Sequence, residues 1–183
     1  MVARTVILGL GNPGTEYVQT RHNVGFWALD RISECHRIPL NQDRHFGLTG
    51  AGSIRGWKVL LVKPMTYMNL SGKAAKSLLA AEGLGTGGLI VLHDDMDIAL
   101  GRVKLKISGG AAGHHGVESI IRSLGTEKFH RFRIGIGRPP EEADSTEWLL
   151  SPFLEEELEA IQNAVSIAAD KVVELIEGNK MSS

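Results

Sequence analysis

The sequence holds a single cysteine, Cys35. One thiol can form neither an intramolecular disulfide nor a paired-cysteine zinc site, which fits a reducing, cytoplasmic compartment. No apolar run approaches the ~20 residues of a membrane span, so no membrane partner is expected. The opening Met1-Val2-Ala3-Arg4-Thr5-Val6-Ile7-Leu8 enters a strand-like run without signal-peptide architecture. Internal repeats and low-complexity segments are missing as well. So are the H-E-x-x-H spacing of a helical metal site and the G-x-S-x-G turn of a serine nucleophile.

Net charge is also nearly absent, at -1. That balance hides an asymmetry. Residues 1–140 carry 18 Lys+Arg against 10 Asp+Glu, whereas residues 141–183 carry 2 against 11. A basic body with an acidic tail region permits an anionic partner on one face. Charged residues make up 22% and hydrophobic residues 43%, an ordinary globular composition that argues against wholesale disorder. At 183 residues the chain fits one domain, 1–183, with a core large enough to need no staples.

Periodicity gives the elements. Val6-Ile7-Leu8 and Leu89–Leu92 read as buried strands. Phe46–Ile54 and Trp57–Val62 read as a hairpin turning at Arg55-Gly56. Val103–Ile107 alternates as a half-exposed strand does, and Phe132, Ile134 and Ile136 alternate with Arg133 and Gly135 to give another strand. Helical patterns cover Asn23–Arg37, with Cys35 on the apolar stripe, Gly72–Ala81, Gly116–Leu124 and Leu154–Glu177. Asn69 and Ser71 are competent N-caps for the second helix. The order predicts an α/β class: a single domain with a twisted mixed β-sheet flanked by helices, closed by a long C-terminal amphipathic helix.

Polar residues follow the strand ends: Asn12 and then His22, Asn69, Asp94, and His114-His115 behind a glycine-rich loop. In open α/β sheets such positions border the ligand crevice. Gly9-Leu10-Gly11-Asn12-Pro13-Gly14 fits a dinucleotide fingerprint, with Asp30 as a ribose acid. Pro13 and the polar stretch Thr15–His22 delay the helix that should hold the pyrophosphate, so a pocket-shaping turn is favoured. His93, Asp94, Asp95 and Asp97 beside His114 and His115 lack metal-ligand spacing. One carboxylate with one histidine is the more economical unit, the acid fixing the imidazole tautomer while the ring takes a proton from water.

Five ordered blocks carry a resemblance. Gly9–Gly14 with Tyr17 and Arg21-His22-Asn23-Val24-Gly25 resembles the opening of bacterial-type peptidyl-tRNA hydrolases. Lys63-Pro64-Met65-Thr66-Tyr67-Met68-Asn69-Leu70-Ser71-Gly72 is similar to their second block. His93-Asp94-Asp95-Met96-Asp97, Gly109-Gly110 through Gly113-His114, and Phe129–Gly137 are similar to the rest. The resemblance implies hydrolysis of the ester joining a peptide to the 3′ end of tRNA. It implies His22 as general base, Asp94 as its orienting partner, and Asn12 and Asn69 on the peptide and the reacting carbonyl. Tyr17 and Met68 would line the cleft, with His114 and His115 in the peptide-binding wall. Lys106 and Arg133 would hold the 5′-phosphate of the acceptor stem. It further implies no metal and no cofactor, and a monomer is expected. His115 departs from the asparagine usual in the family, and an imidazole cannot supply an amide's paired donor and acceptor. A non-catalytic RNA-binding relative and a nicotinamide enzyme stay open as alternatives.

Overall fold

A computed structural model describes residues 3–181. Its strands are β1 (Thr5–Gly9), β2 (Gln42–Arg44), β3 (Gly47–Ile54), β4 (Trp57–Pro64), β5 (Leu89–Asp95), β6 (Val103–Lys106) and β7 (His130–Gly135). Its α-helices are α1 (Val24–His36), α2 (Gly72–Glu82), α3 (His115–Leu124), α4 (Ser145–Leu149) and α5 (Leu158–Met181). The strands form one sheet in the order β2-β3-β4-β1-β5-β7-β6. The central β4-β1-β5-β7 strands are parallel, and the β2-β3-β4 and β6-β7 pairings at the two sides are antiparallel, so the sheet is mixed as expected.

Alternation along the central strands sends side chains to two separate cores. Ile7, Val59, Leu61, Ile90 and Leu92 pack with α1 and α5 on one face. Val6, Leu8, Leu60, Val62, Leu89 and Val91 pack with α2 and α3 on the other. Burial on both faces is why these strands read as continuous apolar runs. The hairpin turn lies where expected: Ile54 pairs with Trp57, and Arg55 and Gly56 both take positive φ, at 51° and 79°. Two positive φ values make a mirror-type turn, whose twist matches that of the strands.

Four expectations need correction. Cys35 is exposed, not on the buried stripe of α1. Neither Asn69 nor Ser71 caps α2 with its side chain, because the chain enters that helix through a 3-10 turn, Met68–Leu70, and Ser71 Oγ instead donates back to Met68 O at 2.8 Å. The short strand β2 and helix α4 have no sequence counterpart among the expected elements. The last helix starts as a 3-10 turn at Glu155–Glu157 before α5 proper. Among the described residues, no helix is long and apolar enough to cross a membrane.

Candidate active site

The carboxyl ends of β1, β4 and β5 lie side by side, and the loops beyond them bring together residues far apart in sequence. Gly9 and Gly25 permit this. A Cβ on Gly25 would sit 2.5 Å from the carbonyl oxygens of Leu10 and Leu92, and one on Gly9 would overlap the Gly25 carbonyl. The glycines of the opening motif therefore let the start of α1 pack against the strand ends. Helix α1 starts only at Val24, and Asp30 pairs with Lys63 at 2.6 Å, so neither stands where a dinucleotide would need it.

The 3-10 turn Arg21–Asn23 carries His22 under the end of β5. His22 Nδ1 lies 2.8 Å from Asp94 Oδ2, and Asp94 is 2% exposed. The other oxygen, Oδ1, lies 2.8 Å from His114 Nε2. His114 is also the N-cap of α3: its Nδ1 accepts the N–H groups of Gly116 and Val117 at 3.1 and 3.2 Å. A ring nitrogen that accepts carries no proton, so the His114 proton sits on Nε2 and is donated to Asp94. Helix α3 thus aims one histidine at the carboxylate, which in turn aims the other.

Charge follows from these contacts. Burial opposes ionisation of Asp94, but electrostatic attraction to His22 and His114 and the hydrogen bonds from both rings prevail and hold its carboxyl well below the usual range. An ionised carboxylate only accepts, so His22 donates its Nδ1–H and keeps Nε2 as a free base nitrogen. Burial also opposes protonation of His22, yet the Asp94 charge and hydrogen bond outweigh it and raise the ring above its ordinary 6.5. His93 lies beside them, donating Nδ1–H to Asp94 O at 2.7 Å. Burial first, then the neighbouring His114 ring, push it down to about 3, so it stays neutral.

His22 opens on a cleft of about 250 Å³ walled by Asn12, Tyr67, Met68, Asn69, His115, Thr146, Leu149 and Leu150. Asn12 is fixed on three sides. Its backbone N–H donates to Asn23 Oδ1 and its carbonyl accepts from Asn23 Nδ2, both at 2.9 Å, while its Oδ1 accepts the Met68 N–H at 2.7 Å. The amide orientation is thereby set, and among the described residues Nδ2 has no partner. Asn12 offers the cleft a donor rather than a donor and acceptor pair. Asn69 is exposed at the rim and His115 is exposed on the wall. Tyr17 is half-buried in the turn Thr15–Tyr17, outside the lining residues of this cleft.

The expected cations lie on β6 and β7, next to β5 in the sheet. In the antiparallel β6–β7 register Lys104 faces Arg133 and Lys106 faces Arg131, so the four share one sheet face. Lys106 Nζ donates to Gly110 O at 3.1 Å, and Arg133 Nη1 lies 3.5 Å from Asp95 Oδ2. Arg131, 1% exposed, holds the carbonyls of Gly109, Gly110 and Glu127 at 2.6, 2.9 and 2.8 Å. Helix α5, with four acidic residues against two basic, packs on the opposite face, away from this stripe.

Sequence reading assigns Asn23 no role of its own and does not see His114 as the partner of Asp94. It also misses Arg21. This guanidinium is 1% exposed, stands 3.5 Å over the Trp148 ring, and reaches Glu157 at 2.8 Å. It pins the segment that supplies Leu149 and Leu150 to the turn that carries His22. His22, Asp94 and His114 also form the described group able to offer a metal three ligand atoms, within 4.8 Å of one another. Both oxygens of Asp94 are already engaged at hydrogen-bond length.

The sequence profile described as "Peptidyl-tRNA hydrolase" matches residues 6–183. The chain belongs to the peptidyl-tRNA hydrolase family. A relative of that name from Exiguobacterium sp. is 45% identical over 170 residues, covering 91% of this chain and 92% of its own. One from Geobacillus thermodenitrificans is 46% identical over 165 residues, covering 90% and 89%. The crystal structure of peptidyl-tRNA hydrolase from Acinetobacter baumannii superposes with a TM-score of 0.91 at 36% identity, covering all of this chain and 93% of that one. A uridine phosphorylase from Vibrio fischeri, at TM-score 0.55 and 10% identity, shares the fold alone.

Proposed function

We propose that the chain hydrolyses the ester between a peptide, or another N-blocked aminoacyl group, and the 3′ end of tRNA, with His22 as general base. The observation that carries this is the shared carboxylate: Asp94 holds His22 Nδ1 at 2.8 Å and leaves Nε2 free on the cleft. Nε2 takes a proton from water as the water oxygen attacks the ester carbonyl. The C–O bond to the ribose then breaks, and the leaving oxygen takes the proton back from the imidazolium. A positioned base of this kind contributes roughly 10²–10⁴-fold.

The carbonyl oxygen becomes an anion in the intermediate. Asn69 is the side chain we assign to it, since one well-placed amide donor is worth about 2.7–4 kcal/mol. Asn12 Nδ2 and His115 hold the peptide, and Met68 forms the apolar floor. Donors aimed at main chain tolerate any peptide sequence, as a recycling enzyme requires. Lys106 and Arg133 take the 5′-phosphate of the acceptor stem, and the enzyme acts as a cytoplasmic monomer without a metal or cofactor.

Incubation with N-acylated and free aminoacyl-tRNA, measuring released tRNA, tests the reading. Cleavage of the acylated form alone is expected. Cleavage of neither would leave an RNA-binding relative without the chemistry.

A further inference from the structure

We propose that Asp95 is an internal counter-ion that occupies Arg133 in the free protein, competes with the tRNA phosphate for it, and so speeds release of the product tRNA. The inference rests on the phosphate role of Arg133 given above. The β6–β7 ribbon is crowded with one sign of charge. Lys104 stands opposite Arg133, and Lys106 opposite Arg131. Arg131 is buried and engaged with three backbone carbonyls, and Lys106 reaches a carbonyl of the glycine-rich loop. Arg133 is less well satisfied. Among the described residues its Nε is buried without a hydrogen-bond partner, and its one carboxylate contact is Asp95 at 3.5 Å.

Asp95 cannot follow Arg133 outward. Its Oδ1 accepts the Asp97 N–H at 2.8 Å, its carbonyl accepts the Ile136 N–H at 3.1 Å, and its side chain is 10% exposed. Oδ2 is the oxygen left for Arg133. A fixed carboxylate 3.5 Å from a loosely held guanidinium, 26% exposed, stands where an incoming phosphate oxygen would bind. A phosphate monoester carries about -1.5 to -2 at neutral pH, against -1 for the carboxylate, so it can displace the pair.

The reaction explains why a competitor is useful. Ester cleavage leaves the 5′ end of the tRNA untouched, so substrate and product bind this phosphate site alike. Such uniform binding lowers KM without speeding the chemistry, and it slows departure of the product. Re-forming the Asp95–Arg133 pair as the phosphate leaves offsets part of that binding.

The test uses the full-length protein, unacylated acceptor-stem RNA bearing a 5′-phosphate or a 5′-hydroxyl, and four variants. Asp95→Asn keeps the acceptor for the Asp97 N–H and removes the charge. It should bind the 5′-phosphate RNA about threefold more tightly, the scale of a partly exposed ion pair. The gain on the 5′-hydroxyl RNA should be smaller, and deacylated tRNA should inhibit turnover more strongly. Asp97→Asn removes an equal charge nearby, one paired with exposed Arg138, and should give less. In an Arg133→Ala background Asp95→Asn should lose its effect. Unchanged or weaker RNA binding by Asp95→Asn, or an equal gain from Asp97→Asn, would overturn the proposal. Wild-type binding of 5′-phosphate RNA by Arg133→Ala alone would instead overturn the phosphate reading beneath it.

Discussion

Asp94 and His114 are joined by a 2.8 Å hydrogen bond whose direction is set from the far side of the imidazole, where Nδ1 accepts two N–H groups of α3. The helix start therefore fixes the second histidine, the second histidine fixes the carboxylate, and the carboxylate fixes His22. His114→Ala should lower kcat by about tenfold, a smaller loss than the ~10²-fold or more expected of His22→Ala. The same change removes a helix cap, so thermal stability should fall by about 0.5–2 kcal/mol. Full turnover from folded His114→Ala would show that Asp94 needs no second partner.

The pH profile has a defined sign. As the proposed general base His22 would work only when neutral, and its pKa is raised above 6.5 by Asp94 against the opposing effect of burial. The rate constant kcat/KM should rise with pH through a midpoint above 6.5. In Asp94→Asn the charge that raises it is gone while burial remains, so the midpoint should move down as the plateau rate falls. A midpoint that stays in place would mean that another group titrates.

Stability responds to His93 in a different window. Unfolded, this ring takes a proton near 6.5; folded, only near 3. Between those values the unfolded chain binds more protons, so stability contributed at neutral pH is lost as pH falls from 6.5 toward 3. The sign for His22 is opposite: its raised pKa adds stability below 6.5 that is lost as pH rises through the folded value. Thermal melts of His93→Gln should show a shallower acid-side decline than wild type. Equal slopes would assign acid lability to other groups.

The parallel strands were legible because burial on both faces leaves unbroken apolar runs such as Leu89–Leu92. Strand β2 was not, because Gln42-Asp43-Arg44 is a polar edge held by pairing to β3 rather than by its own pattern. Asn12, His22, Asn69 and Asp94 could be picked out by their places after strand ends. The way they engage could not. Asn23 reads as a helix-start residue, yet its side chain holds the backbone of Asn12. His114 caps α3 although histidine is not a preferred N-cap, so no propensity points to it. Nothing in the sequence marks Arg21 as buried, and only the fold places Trp148 and Glu157 around it.

Asn12 allows structure and chemistry to be separated. Asn12→Asp keeps an oxygen for the Met68 N–H and removes the Nδ2 donor, whereas Asn12→Ala removes both. The alanine variant should lose stability on the order of 1–3 kcal/mol, because a buried N–H is left unpaired. The aspartate variant should melt closer to wild type yet bind N-acyl substrates more weakly, with KM raised more than kcat is lowered. If the aspartate variant keeps wild-type KM, Nδ2 does not touch the peptide.

Recognition of tRNA should run through phosphates rather than bases, because an enzyme that serves every tRNA gains nothing from reading base edges. Lys104, Lys106 and Arg133 share one face of the β6–β7 ribbon, α5 lies against the opposite face of the sheet, and Asp95 is the carboxylate that meets Arg133. Removing one cation from a phosphate should reduce the logarithmic salt slope of binding by roughly 0.7–0.9, the range between single-stranded and duplex nucleic acid. Lys106→Ala and Arg133→Ala should each weaken binding of peptidyl-tRNA and flatten its salt dependence by about that amount. The decrease in kcat/KM should be much larger on peptidyl-tRNA than on a short N-acylaminoacyl ester lacking the tRNA body. Measuring both substrates across a salt series decides the matter. An equal decrease on the two would mean that the cations support the glycine-rich loop or the active site, a role the Lys106–Gly110 hydrogen bond could also serve.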